Sequence, residues 1–159
     1  MRLAILIAAG LLPLALAGCQ TPDGAAPEAS AVSVPEEFIE TNEPARVGEV
    51  QFSRGNFALA ERYYKAAVER TPGDFDSWVG LAASYDNLKR FDLADRAYTR
   101  AMAMKVNVKV LNNRGYSYLL RGDFRNARLM FDRALRIEPD NPIVLHNLEL
   151  LQSARQKFI

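Results

Sequence analysis

One cysteine and one histidine stand in a chain of 159 residues. Cys19 has no second cysteine to pair with, so no internal disulfide can hold the fold, which must stand on packing. Cys19 and His146 lie far apart in sequence and make no zinc-ligand set. Glycine-rich phosphate loops are missing; Arg54-Gly55-Asn56 and Arg121-Gly122-Asp123 read as turns between helices. His146 has no Ser or Cys nucleophile in a recognisable motif, and nothing in the chain points to an enzyme. A formal net charge of +1 does not ask for nucleic acid. The N-terminal apolar stretch falls short of the roughly 20 residues that span a bilayer. The whole chain is 49% hydrophobic, enough to bury a core and too much for a disordered chain.

The near-zero charge hides an asymmetry. Between Gln20 and Ala45 stand six acids (Asp23, Glu28, Glu36, Glu37, Glu40 and Glu43) and no Lys or Arg. From Arg46 onward there are 19 basic and 13 acidic side chains, a surplus of six. Two readings stay open: solvated helix faces that happen to be Arg-rich, or attraction to an acidic partner.

A frame of small and aromatic residues recurs three times. It reads Gly55-x-Phe57-x-x-Ala60-x-x-x-Tyr64-x-x-Ala67, then Lys89-x-Phe91-x-x-Ala94-x-x-x-Tyr98-x-x-Ala101, then Gly122-x-Phe124-x-x-Ala127-x-x-x-Phe131-x-x-Ala134. Ala60 to Ala94 is 34 residues and Ala94 to Ala127 is 33, the period of a stacked helix-turn-helix array. In the second copy Trp78, Leu81, Ala82 and Tyr85 share one face of a first helix, spaced three and four apart. This pattern resembles the tetratricopeptide repeat (TPR). The expectation is an all-α solenoid of about three repeats, at roughly 41–74, 75–107 and 108–141. A capping helix follows from Pro142 to about Lys157, giving seven helices in all.

Local details support that division. Pro72 and Pro139 stop second helices, since proline lacks the N–H and clashes with the preceding turn. Asp74 and Asp140-Asn141 sit where helix starts want a capping oxygen. Gly48, Ala82 and Gly115 are expected to let each first helix approach the second where Ala60, Ala94 and Ala127 face it. Three departures stand out. Pro44 and Gln51 occupy the Trp and Tyr positions of repeat one, which predicts a frayed or reshaped first helix. Val106 replaces the usual proline after repeat two, and Lys89 replaces the turn glycine.

The TPR resemblance implies a concave face lined by first-helix side chains. Carried over, its positions are Arg46, Glu49 and Phe52 in repeat one, then Asp76, Val79, Ala83 and Asp86 in repeat two. Repeat three supplies Lys109, Asn112, Asn113 and Tyr116, and the cap His146, Asn147 and Leu150. Asn113 and Asn147 fall where such proteins often bond a peptide backbone, a task suited to amides, which carry donor and acceptor together. The set lacks a full Lys and Arg clamp for a terminal carboxylate. Its mix of apolar and amide groups suits an extended peptide or a partner helix. Tyr63, Tyr64 and Trp78 are expected in the core.

The N-terminus reads as an address. Residues 1–18 carry one positive charge, an apolar stretch and small residues before a break, the form of a secretory signal. Leu16-Ala17-Gly18-Cys19 resembles the lipobox of bacterial lipoproteins. That resemblance implies cleavage before Cys19 and covalent lipid, such as palmitate, on that residue, with no other cofactor. Two or three acyl chains, at about 0.8 kcal/mol per buried CH₂, anchor a protein firmly. Residues 19–44 then form an acidic, Pro- and Ala-rich linker, and 45–159 the TPR domain. Gln20, where an Asp would suggest retention at the inner membrane, points to the inner leaflet of the outer membrane, facing the periplasm.

The third repeat and cap carry a narrower likeness. Leu111-Asn112-Asn113-Arg114-Gly115-Tyr116-Ser117-Tyr118, Leu120-Arg121-Gly122-Asp123-Phe124, Ala127-Arg128, Asn141-Pro142 and Asn147-Leu148-Glu149-Leu150-Leu151 resemble the TadD-type TPR lipoproteins of tight-adherence (Flp) pilus systems. The likeness extends over roughly 50 residues. It implies an accessory assembly factor of a secretin-containing pilus machine, with a protein or peptide of that machinery as partner. The alternatives are a general envelope scaffold for peptidoglycan enzymes and a pilotin-like transport chaperone for a secretin.

Overall fold

The computed structural model describes residues 40–157. The expected signal peptide, Cys19 and most of the acidic linker lie outside the described residues. Among the described residues there are seven helices and no strand. In order they are α1 (Pro44–Ser53), α2 (Phe57–Arg70), α3 (Phe75–Asn87), α4 (Phe91–Met104), α5 (Val108–Leu120), α6 (Phe124–Ile137) and α7 (Pro142–Gln156). Their starts follow from capping. Asp74 accepts from the Asp76 and Ser77 backbone N–H groups, and Asn141 from those of Ile143 and Val144. Asn107 caps α5 in the same way and Asp123 caps α6.

Each departure from the repeat pattern has a local solution. Pro44 becomes the first residue of α1, where its missing N–H has no intrahelical partner to lose. The helix is therefore shortened, at 10 residues against 13 for α3 and α5. Lys105 takes an extended backbone after Met104 and Asn107 caps α5, so repeat two ends without proline. At the turn before α4, Lys89 adopts the left-handed conformation (φ 60°) that Gly55 and Gly122 adopt in the other two repeats.

Helices α1–α2, α3–α4 and α5–α6 pack as consecutive hairpins, with α7 against α6 and α5. The first helices also meet in series: α1 touches α3, α3 touches α5, and α5 touches α7. Among the described residues, α2 does not reach α4, nor α4 reach α6. First helices that close ranks while second helices splay make a curved stack with α1, α3, α5 and α7 on its inner side.

One aromatic ring per repeat sets this spacing. Tyr64, Tyr98 and Phe131 are 8%, 1% and 0% exposed, so each ring is spent on packing. The small residues opposite make the room, although their partners differ from the sequence expectation. Gly48 and Gly115 give their space to rings, not to Ala60 and Ala127. A Cβ at Gly48 would lie 3.1 Å from the Tyr64 ring, and one at Gly115 would lie 2.6 Å from Phe131. Ala60, Ala94 and Ala127 are fully buried beside them. Trp78 is half-buried and donates its indole N–H to the Pro72 carbonyl (2.9 Å), tying the end of repeat one to the start of repeat two.

Repeats two and three are joined by a polar link. The Tyr98 hydroxyl donates to Asp86 Oδ2 (2.9 Å), and the Ser117 hydroxyl donates to Asp86 Oδ1 (2.7 Å). Arg121 donates to Ser117 Oγ (3.0 Å) and grips both oxygens of Asp95 at 2.8 Å. Its guanidinium also lies over the rings of Tyr118 and Phe91. Burial raises the pKa of Asp86, opposed by the hydroxyl bonds from Ser117 and Tyr98. The hydrogen bonds from Arg121 hold that of Asp95 low.

Two predictions follow from this architecture. Asp86→Ala strands two buried hydroxyls and is expected to cost about 3 kcal/mol in urea unfolding, whereas Asp86→Asn keeps bonding partners and costs under about 1 kcal/mol. The folded state raises the Asp86 pKa, so its contribution to stability is present below the ordinary aspartate value of about 3.9 and is lost as pH rises through the folded value. Asp86→Asn is thus expected to gain on the parent between acidic and neutral pH, read from midpoints at each pH. At the strained turn, Lys89→Gly is expected to stabilise by up to about 1 kcal/mol, a rise in the thermal midpoint.

Candidate functional site

The inner side of the stack carries one groove in two adjoining sections. The first, about 510 Å³, is walled by α1, α3 and the start of α5, and includes Arg46, Glu49, Phe52, Asp76, Val79, Ala83, Lys109 and Asn113. The second, about 300 Å³, runs on toward α7 and includes Asp86, Asn112, Asn113, Tyr116 and Asn147. Phe52, Ala83 and Asn113 belong to both, which makes the two sections continuous. His146 and Leu150 line neither section. His146 is solvent-exposed, 3.8 Å from Glu149, and Leu150 is 40% exposed further along α7.

The side chains brought together differ in availability. Val79 is 1% exposed, so it forms floor, not contact surface. Asp86 is 3% exposed and both its oxygens are taken by Tyr98 and Ser117, so it holds the repeats together and is no free groove carboxylate. Asn147 is 7% exposed and donates to Asn112 Oδ1 (2.8 Å), which joins α7 to α5. Asn113 is only half-buried and keeps its amide N–H₂ open to the groove, while Tyr116 stands 40% exposed beside it. In the first section Lys109 pairs with Asp76 (2.6 Å) across α3 and α5, and Arg46 pairs with Glu43 outside the groove.

The sequence reading left out Tyr64, Asp74 and Gly80, all of which line the first section. Tyr64 packs as core, yet its ring end reaches the groove because Gly80 has no side chain; a Cβ there would overlap the tyrosine ring. The repeat period could have found this. Gly80 stands one period before Asn113 and two before Asn147, so the position that holds an amide in repeat three and the cap is empty in repeat two. Burial, then the nearby Glu49, Asp76 and Asp74 carboxylates, push the Tyr64 pKa up to about 12, so its hydroxyl stays protonated and neutral at any ordinary pH.

Chemically the groove offers an open amide, a phenolic hydroxyl, carboxylates and aromatic faces along one curved surface. That inventory binds an extended segment by backbone hydrogen bonds and side-chain contacts. Among the described residues, no group of three or more His, Cys, Asp or Glu could hold a metal ion. None of the described helices is long and apolar enough to cross a membrane.

Known proteins share both the pattern and the fold. Family models described as tetratricopeptide repeat match residues 48–102 and 108–141, together more than half of the chain. Among solved structures, the first TPR domain of human RPAP3 is similar at 22% identity, covering 72% of this chain and 91% of that one, with a TM-score of 0.65. The first TPR of Spaghetti (RPAP3), bound to the HSP90 peptide SRMEEVD, matches at 20% identity over 75% and 98% of the two chains, with a TM-score of 0.63. The Arabidopsis OM64 TPR domain matches at 23% identity over 70% and 97%, with a TM-score of 0.62. Repeat period, helix order and these matches agree: the chain belongs to the tetratricopeptide repeat family and is a protein–protein interaction module.

Proposed function

We propose that this protein is a lipid-anchored TPR module that serves as an assembly factor of a tight-adherence (Flp) pilus machine, holding a partner segment in its groove at the periplasmic side of the outer membrane. The observation that carries the binding part is the continuous groove with the open Asn113 N–H₂, whose amide oxygen accepts from Asn112 (3.5 Å), and the exposed Tyr116 ring at its centre. The first TPR of Spaghetti, which shares this fold, is bound to a peptide, and this supports a peptide segment as the ligand here. Leu16-Ala17-Gly18-Cys19 supports the anchor, and the Leu111–Asp123 run supports the pilus assignment.

The division of labour is physical. Acyl chains on Cys19 hold the protein at the membrane. The acidic, proline-bearing linker of some 25 residues sets an upper limit on the domain's reach of roughly 80 Å by chain length alone. The groove, braced by the Asp86 link, is rigid before the partner arrives, so little ordering cost is added on binding. A secretin or another pilus component is the expected partner.

Two results are expected. Cys19→Ala leaves an unlipidated precursor that no longer fractionates with the outer membrane; ordinary membrane fractionation of this variant defeats the anchor. Asn113→Ala with Tyr116→Ala lowers partner recovery from the cross-linked envelope at least about tenfold while the circular dichroism spectrum stays helical. Mass spectrometry of the parent's cross-linked material is expected to find pilus components. Peptidoglycan enzymes without pilus proteins would instead favour the general scaffold.

A further inference from the structure

The domain is basic, but its groove is not. Against the surplus of basic residues from Arg46 onward, the first groove section holds Glu49, Asp74 and Asp76 beside only Arg46 and Lys109. Both of those cations are already spoken for. Arg46 turns to Glu43, and Lys109 lies on Asp76. Asp74 is held as the cap of α3 by the Ser77 hydroxyl and two backbone N–H groups. Glu49 is exposed and has no ion-pair or hydrogen-bond partner among the described residues. The second section holds no cation, and its Asp86 is buried with both oxygens bonded, so Glu49 is the carboxylate the groove leaves open. The basic excess lies on other surfaces, for example around Arg125, Arg128 and Arg155 at the α6–α7 end.

The same section is aromatic. Phe52 and the end of the Tyr64 ring line it beside Glu49. A carboxylate beside a partly exposed aromatic ring such as Phe52 is the setting in which an ammonium or guanidinium group gains both an ion pair and a cation–π contact. Burial first, and then the Glu49, Asp76 and Asp74 carboxylates, raise the pKa of Tyr64. A groove with an unpaired carboxylate disfavours an acidic peptide end such as SRMEEVD.

We infer that the groove selects a basic segment of its partner, with a Lys or Arg side chain seated against Glu49 and Phe52, and the chain running on past Asn113 to Tyr116. This rests on the groove being the binding surface, and it concerns the groove alone, apart from the two readings of the basic body. The basic outer surface is then a separate feature from the recognition site.

The test is selection of a random dodecapeptide display library on the purified protein. Expected are enriched sequences rich in Lys or Arg, whose binding weakens with added NaCl and falls about tenfold or more in Glu49→Lys. The acidic peptide SRMEEVD is expected not to compete. Glu49 is exposed, so the variant should keep the parent's helical circular dichroism. Tyr116→Asp separates the two levels of the claim. Acidic winners that lose binding in Tyr116→Asp overturn the charge preference and leave the groove reading standing. Winners indifferent to both variants, or no enrichment at all, overturn the charge preference and the groove reading together.

Discussion

The seating of one aromatic ring per repeat against a glycine or alanine of the inner helices is the constraint on which the rest depends. Tyr64 lies against Gly48 and Gly80, and Phe131 against Gly115. Tyr98 shares its core cluster with Ala82. A side chain at Gly80 or Gly115 would displace the ring and one at Gly48 would press on it, and close-packed interiors accommodate such additions poorly, at about 1–3 kcal/mol for an overlapping one. The inner helices stand close because their small residues admit the rings, the outer helices splay, and the stack bends. Curvature, and with it the groove, is a consequence of residue size at a few repeated positions.

The polar link around Asp86 adds what apolar packing lacks, a fixed register between repeats. A ring can slide along an apolar surface at little cost, but a buried carboxylate must keep its two hydroxyl donors. Arg121 extends the link to Asp95 and stacks on Tyr118 and Phe91, so α3, α4 and α5 move as one body. That rigidity places Asn113 and Tyr116 at a set distance from Glu49 and Phe52. The groove can then hold its charged end and its amide-and-aromatic end in one geometry.

Much of this was legible in the sequence because the repeat amplifies weak signals. The Ala60, Ala94 and Ala127 frame gives helix number, turn positions and the inner face, and Asp74 and Asn141 mark helix starts by chemistry alone. What escaped was whatever depends on partners distant in sequence. Asp86 reads as a groove residue from its repeat position, but Ser117, 31 residues on, turns it into a buried joint. Gly80 reads as a neutral small residue until Tyr64, from the preceding helix, is seen to occupy its space. The sign of the groove was hidden for a similar reason. Net charge sums over all faces, and only the fold shows that Glu49 stands unpaired in the groove while Arg125, Arg128 and Arg155 gather at another surface.

The central claim is that the inner face, not the outer, meets the partner. The most direct measurement is site-specific photocrosslinking in intact cells, with a benzophenone amino acid placed at Tyr116 or at Leu129. Both side chains are exposed, at 40% and 49%, so each probe is accessible. Tyr116 lines the groove, and Leu129 lies on α6 away from it. The account predicts a discrete crosslinked partner band from position 116 and none from position 129. A band from position 129 with none from position 116 would contradict it.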